Sequence, residues 1–360
     1  MHIGIIGGGI IGLLSAYELI ESGIKISIFE QGNTGKESSW AGGGIISPLY
    51  PWRYSHPITT LANHSEELYK PLTKRIYNAT NIDPELYQCG IYWLDIEDIQ
   101  AALSWANLNN FKTTIISNKK LINSLPFIAP NYASALHSPQ ISNIRNPRLA
   151  QSLKKYLLKQ GAQLHENCTV RGIFSEKKRW KVKTELGDIN LDKIVVATGA
   201  WSGKLLATLG LSLPVEPVKG QMILYKCEPG FLPSMVLAKG RYAIPRRDGH
   251  ILVGSTLEHE GFDKTPTDVA RESLQASAEA LIPTLAKQPI VGHWAGLRPG
   301  SPDGIPFIGP VPGFEGLWLN CGHYRNGLVL APASCRLLAD LMLGREPIVD
   351  PTPYAPSARL

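Results

Sequence analysis

Three glycines, Gly7, Gly9 and Gly12, stand directly after the apolar run His2–Ile6 and at the opening of a helical run that starts at Ile10. The spacing is G-x-G-x-x-G, and each position has a job in holding a pyrophosphate. The first glycine permits a tight turn, the second lets backbone N–H groups reach the anion at the positive helix end, and the third lets helix and strand pack closely. Glu30 closes the next strand-like run at the distance where a carboxylate accepts hydrogen bonds from ribose hydroxyls. The motif reads as dinucleotide binding, and by itself it leaves FAD and NAD both open.

Three further stretches offer small residues where a large cofactor could lie against backbone. Ser38, Ser39, Ala41, Gly42, Gly43 and Gly44 form one, suited to a flavin or ribityl chain. Ala197, Thr198, Gly199, Ala200, Trp201 and Ser202 form a second, after an apolar strand. Gly322, His323, Tyr324, Arg325, Asn326 and Gly327 open a helix whose dipole suits the electron-rich end of a reduced flavin. Taken singly, each also fits a flexible loop or an ordinary glycine-rich helix start. No Ser/His/Asp triad or metal-like cluster stands out, and His323 reads as a loop or flavin-contact residue in preference to a base.

The elements that must position these groups are legible from periodicity. His2–Ile6, a helix over 10–22 and a strand over 25–30 make a βαβ unit, followed by a Gly-, Ser- and Pro-rich ordered segment at 32–54. Helices are expected over 64–79, 148–159, 269–282 and 328–343. Strands are expected over 90–94, 164–174, 181–185, Lys193–Val196, 220–225, 249–254 and 317–320, with a loop-rich stretch from Trp294 to Pro312.

A chain of 360 residues exceeds the size at which one core stops growing, so two domains are expected. With 44% hydrophobic and 18% charged residues it falls outside the composition of disordered chains. The net charge of +6 is spread out, and runs such as Lys177, Lys178 and Arg179 read as solvated turns, so no nucleic-acid partner is expected. Five cysteines with no Cys-x-x-Cys pair fit a reduced cytoplasmic setting. No window gives eighteen uninterrupted apolar residues, so no membrane span is expected.

The segments 38–47 (SSWAGGGIIS), 294–300 (WAGLRPG), 303–309 (DGIPFIG) and 322–333 (GHYRNGLVLAPA) resemble the D-amino-acid oxidase superfamily, and within it the glycine oxidases of bacterial thiamine biosynthesis. The resemblance runs from Gly4 to Leu343. It implies that Arg298 grips a substrate carboxylate with its planar fork of donors, that the Tyr242 hydroxyl meets the same carboxylate, and that Arg325 lies beside flavin and carboxylate. These three are the expected catalytic and substrate-binding residues. The expected cofactor-binding set is Gly7, Gly9, Ile10, Ile11, Gly12, Glu30, Ser38, Ser39, Ala41, Gly42, Gly43, Gly44, Val170, Thr198, Gly199, Trp201, Arg298, His323, Tyr324, Arg325, Asn326, Gly327 and Leu328.

The resemblance also implies an α/β protein with a Rossmann-like FAD-binding domain (1–80, 141–218 and 290–360), interleaved with an α+β substrate domain on a mixed sheet (81–140 and 219–289). The implied reaction is oxidative deamination of glycine or another small amino acid by molecular oxygen, in a homo-oligomer. Related sarcosine oxidases attach flavin to a cysteine just after the segment matching 294–298, where Pro299 and Gly300 stand here, so non-covalent FAD is expected. Three rivals remain: a sarcosine-type oxidase, a D-amino-acid dehydrogenase that passes electrons to quinone, and a tRNA-modifying flavoprotein, whose fused methyltransferase half and basic surface are not evident. Gly240, Arg241 and Leu257 sit where pockets vary, and Arg241 is expected to point to solvent.

Overall fold

A computed structural model describes residues 1–94, 96–176 and 179–359; Lys177 and Lys178, read above as a turn, lie outside them. The chain is a mixed α/β protein built on two large sheets. The first has six strands in the order Phe307–Pro310, Leu317–Cys321, Lys193–Val196, His2–Ile6, Lys25–Phe29 and Gln163–His165, parallel throughout except for the first pair.

These strands read as unbroken apolar runs because both faces are covered. Ile3, Ile5, Ile26, Ile28 and Val195 point into a helical layer formed by Ile10–Ile20, His56–Thr80, Asn146–Lys159 and Gly327–Leu343. Ile6, Phe29, Ile194 and Val196 point the other way, against a three-stranded meander, Gly172–Glu176, Arg179–Thr184 and Gly187–Leu191, that contributes Trp180 and Val182. The helical stretch Tyr324–Leu343 is long and apolar enough to cross a membrane, but 72% of that window is buried, between Ile10–Ile20 and His56–Thr80. Its apolarity is that of a core helix packed on several sides.

The second sheet has eight strands, in the order Ile290–Gly300, Glu216–Lys226, His250–Gly254, Arg241–Pro245, Met235–Ala238, Ile91–Leu94, Ser134–Ser138 and Thr114–Ser117. Only the pair Met235–Ala238 and Ile91–Leu94 runs parallel. Strand alternation splits its side chains cleanly. Ile223, Ala243, Ile251 and Val253 bury against Leu274, Ala278 and Leu281 of helix Asp268–Leu281. Met222, Tyr242, Ile244, Leu252 and Trp294 occupy the opposite face.

Four expectations need correction. The stretch after Trp294 is not loop-rich: Ile290–Gly300 is an 11-residue edge strand and Phe307–Pro310 a short strand. Gly292, Gly296, Pro299 and Gly300 read as breakers, yet an edge strand tolerates them, and Pro299 simply faces Pro217. Consequently the partition at 290 fails, because Ile290–Gly300 belongs to the eight-stranded sheet and first-sheet strands resume at Phe307; Glu216–Lys226 likewise lies wholly in the second sheet. The helix expected over 64–79 starts at His56, where Ser55 and Pro57 supply the N-terminal geometry. Arg241 does not point to solvent: its Nη2 reaches Ser273 Oγ at 3.4 Å, and its Nη1 is buried on the face away from Tyr242.

None of the five cysteines is paired, and Cys168, Cys227, Cys321 and Cys335 are buried. Burial pushes the Cys321 and Cys335 thiols up to about 12.

Candidate active site

Register places the glycine turn. Ile6 stands level with Val196 on one side and Phe29 on the other, so three chains leave the sheet at one edge and set Gly7, Ala197 and Glu30 side by side. This is the crevice outside the carboxyl ends of parallel strands, where such folds hold ligands. Gly7 adopts φ +107°, and a Cβ there would overlap the Ala197 carbonyl; a Cβ on Gly12 would overlap the Gly7 carbonyl oxygen. Glu30 is buried, and its carboxylate accepts from the Gly8 N–H at 2.8 Å and the Gly32 N–H at 2.9 Å. Burial pushes its carboxyl up, against the two N–H groups that lower it. Ser39 Oγ accepts from the Ile10 N–H at 2.8 Å, which ties the short helix Ser38–Ala41 to the glycine turn.

From this edge a cavity of about 370 Å³ runs to the second sheet. Every residue expected at the cofactor or substrate lines it except Gly12, which packs behind Gly7. Gly7, Gly9, Ile10, Ile11 and Glu30 form one end. Ser38, Ser39, Ala41 to Gly44, Val170, Thr198, Gly199 and Trp201 form the flanks, and His323 to Leu328 the floor. Lys264, on the loop after His250–Gly254, reaches across to both Glu37 carboxylate oxygens at 2.9 Å, while Phe262 packs on Trp201.

The second sheet supplies the far end. Tyr242 pairs with Gly254, Gly254 with Met222, and Met222 with Trp294, a single row across four strands. Arg298 lies two pleats along from Trp294 on the same face. Its Nη1 donates to the Lys219 and Thr256 carbonyls, each at 3.2 Å, and its Nη2 donates to Ser255 Oγ at 2.7 Å. A guanidinium has five N–H donors, so two remain without a partner among the described residues. Desolvation lowers the Arg298 pKa from its usual value. Tyr242 is buried, and its hydroxyl meets only the Met222 thioether, at 4.0 Å, a weak acceptor. Arg325 is exposed at the rim and forms no ion pair among the described residues.

His323 is fully buried, its Nε2 at 3.1 Å from Ser334 Oγ, and burial pushes its pKa down to about 3. It is a neutral wall residue. Sequence reasoning missed Gly220, Met222, Ser255, Asn146 and Asn320, which also line the cavity. Gly220 is required because a Cβ would overlap the Arg298 guanidinium. The signal at Gly220 and at Gly254-Ser255 was a glycine within or ending an apolar strand, which marks close approach of another group. Asn320 and Asn146 carried no such signal.

The cavity fits a flavin dinucleotide on two observations. Its strand edge is a cradle that side chains would fill, and the buried Asn320 Oδ1 and Asn146 Oδ1 on its wall have no hydrogen-bond partner.

Residues 2–341 match the family described as "DAO: FAD dependent oxidoreductase". The glycine oxidase of Pseudomonas aeruginosa is 58% identical over 99% of this chain and 98% of its own length. A bifunctional ThiO/ThiG protein of Trichormus variabilis is 30% identical over 95% of this chain and 52% of its length. The crystal structure of glycine oxidase from Geobacillus kaustophilus superposes with a TM-score of 0.95 at 29% identity, covering 99% of this chain and 98% of the other. The glycine-lined cavity and a match spanning nearly the whole chain lead to one conclusion: the chain belongs to the family of FAD-dependent oxidoreductases of the D-amino-acid oxidase type.

Proposed function

We propose that the protein is an FAD-dependent oxidase that converts glycine, or another small amino acid, with water and molecular oxygen to the α-keto acid (glyoxylate), ammonia and hydrogen peroxide. The observation that carries the substrate assignment is Arg298 beside Tyr242. Both line the cavity that begins at the glycine turn; Arg298 keeps two N–H donors without a partner among the described residues, and the Tyr242 hydroxyl meets only a weak thioether acceptor. A carboxylate is the anion that matches a planar guanidinium fork and one phenol. Full-length similarity to glycine oxidase supports glycine among the small amino acids.

FAD, when bound, supplies the hydride acceptor and returns the electrons to oxygen. Gly7, Gly9 and Glu30 would hold its adenosine and pyrophosphate half, the Ser38–Gly44 segment its ribityl chain and flavin, and the segment from His323 to Leu328 its ring end. The protein's part is to hold and orient. Arg298 and Tyr242 fix the carboxylate, and so fix the Cα–H against the cavity wall. His323, neutral and turned to Ser334, adds no charge and takes no proton. Arg325 places a second cation at the rim. The cofactor is held without a covalent bond, since Pro299 and Gly300 follow Arg298 and the buried Cys321 thiol is kept protonated.

Participation in thiazole formation for thiamine belongs to the same proposal and is supported by the likeness to ThiO/ThiG. So do a cytoplasmic location, a homo-oligomeric state, and the absence of nucleic-acid and membrane partners. The test is peroxide production on adding glycine to FAD-loaded protein in air, with flavin absorbance followed in the same cuvette. Peroxide supports the oxidase. Bleaching without peroxide points to a dehydrogenase, and a flavin that stays oxidised removes glycine as the substrate.

A further inference from the structure

Behind the Arg298 guanidinium, on the face of the second sheet turned away from the cavity, lies a closed polar cluster that the reaction itself does not use. Lys219 is 1% exposed and Gln221 is fully buried, in a strand whose other neighbours on that face are apolar. Their common partner is Glu258, on the segment leaving strand His250–Gly254. Gln221 Nε2 donates to both Glu258 carboxylate oxygens, at 3.1 and 3.0 Å, and Thr256 Oγ1 donates to Oε1. Lys219 Nζ lies 3.8 Å from Glu258 Oε2 and 3.6 Å from Asp263 Oδ2. Gln221 Oε1 in turn accepts from the Thr267 N–H at 2.9 Å and lies 3.0 Å from His293 Nε2.

The cluster bears on Arg298 through backbone. The two carbonyls that accept from Arg298 Nη1 belong to Lys219 and Thr256. Lys219 and Glu258 also exchange both main-chain hydrogen bonds, Lys219 N to Glu258 O at 2.9 Å and Glu258 N to Lys219 O at 3.0 Å. Thr256 Oγ1 accepts from the Gln221 N–H at 2.8 Å. Every acceptor that aims the inner edge of the guanidinium is therefore fastened to a residue whose side chain meets the Glu258 carboxylate, and Ser255, which holds Nη2, lies on the same short segment.

We propose that Glu258 is the positioning residue for Arg298. By fastening residues 255–258 to Lys219 and Gln221, it holds the guanidinium so that its two unused N–H donors face the cavity. A buried polar group is stably held when its network is complete, and this one has a partner for each charge. The inference rests on the reading of Arg298 as the carboxylate-binding residue.

The experiment uses the FAD-loaded full-length protein, with glycine as substrate and acetate as a carboxylate probe read from the flavin absorption spectrum. Wild type is expected to oxidise glycine and to bind acetate. Glu258→Ala is expected to raise the KM for glycine and the Kd for acetate together, by tenfold or more, with kcat changed far less and FAD content unaltered. Glu258→Gln, which keeps an acceptor oxygen for Gln221 and Thr256, is expected to recover most of that loss. Should Glu258→Ala fail to fold, Gln221→Met decides in its place, since it removes the two hydrogen bonds of the Gln221 amide to the carboxylate and leaves Arg298 untouched. Unchanged acetate affinity in the deciding variant overturns the positioning role while the carboxylate reading stands. A loss of kcat, FAD and melting temperature without a selective loss of carboxylate affinity also overturns it. A wild type that binds no acetate sinks both readings together.

Discussion

The two ends of the cavity are built on opposite principles. At the edge of the parallel sheet the protein presents what it has left out: Gly7 and Gly12 leave room for backbone against backbone, and the groups aimed at a ligand are main-chain N–H donors at the start of helix Ile10–Ile20. At the face of the mixed sheet it presents what it has put in, one guanidinium and one phenol, each carried on a strand, the guanidinium held by neighbouring carbonyls. In the proposed function the first end would recognise a common cofactor by shape and dipole, the second a particular anion by side-chain chemistry. Damage should differ accordingly, with glycine substitutions removing the cofactor altogether and substitutions at the sheet face weakening substrate while the cofactor stays.

The largest effect expected is at Gly12. Gly12→Val drives a branched side chain into the Gly7 carbonyl and should yield protein purified without flavin, measured by the ratio of visible to ultraviolet absorbance. A normal flavin content there would break the contrast. Next, Arg298→Ala should retain FAD but raise the KM for glycine by roughly 100-fold, the loss of about 3 kcal/mol of charge-assisted hydrogen bonding. Loss of FAD instead would place Arg298 at the cofactor.

Tyr242→Phe removes a single donor, so steady-state kinetics should show a KM raised by roughly tenfold with kcat little changed. The smallest effect concerns His323. Its folded pKa, about 3, lies below the unfolded value of 6.5, so the unfolded chain binds the extra proton between those limits. Stability should fall as pH drops through that window, and His323→Asn should flatten the fall in melting temperature. Activity between pH 7 and 9 should show no titration from this residue.

The same contrast decides what was legible in the sequence. Gly7, Gly9, Gly12 and Glu30 announce themselves because the constraint is local: a strand, a turn and a helix close the site within thirty residues. Tyr242 and Arg298 lie in unremarkable strand sequence, and of the two only Arg298 falls within a segment that carries the resemblance, 294–300. Arg246 went unnoticed. Partly buried, with its pKa lowered to about 10 by desolvation, it donates to the Gly43 and Ile144 carbonyls and so joins the second sheet to the Ser38–Gly44 segment. An arginine with partners 102 and 203 positions away leaves no periodic trace. The strand Ile290–Gly300 hid for a related reason, since glycines that look like breakers are there to admit neighbours. A Cβ on Gly296 would stand 2.5 Å from the Ala41 methyl.

If the proposed reaction holds, peroxide forms inside the cavity, and the protein must survive its product. Sulfur is the vulnerable element, and Cys168, Cys321 and Met222 all face that space. The thiolate is the form that peroxide attacks, and burial holds the Cys321 thiol protonated far above working pH. A thioether has no proton to withhold. Cys168 lies at the opposite end, beside Glu30, so Met222, a neighbour of the Tyr242 hydroxyl, is where self-inflicted oxidation should collect. Activity should decline with the number of turnovers and not with time alone, in step with one oxygen atom added to the peptide that carries Met222, and Met222→Leu should lengthen the working life of each molecule.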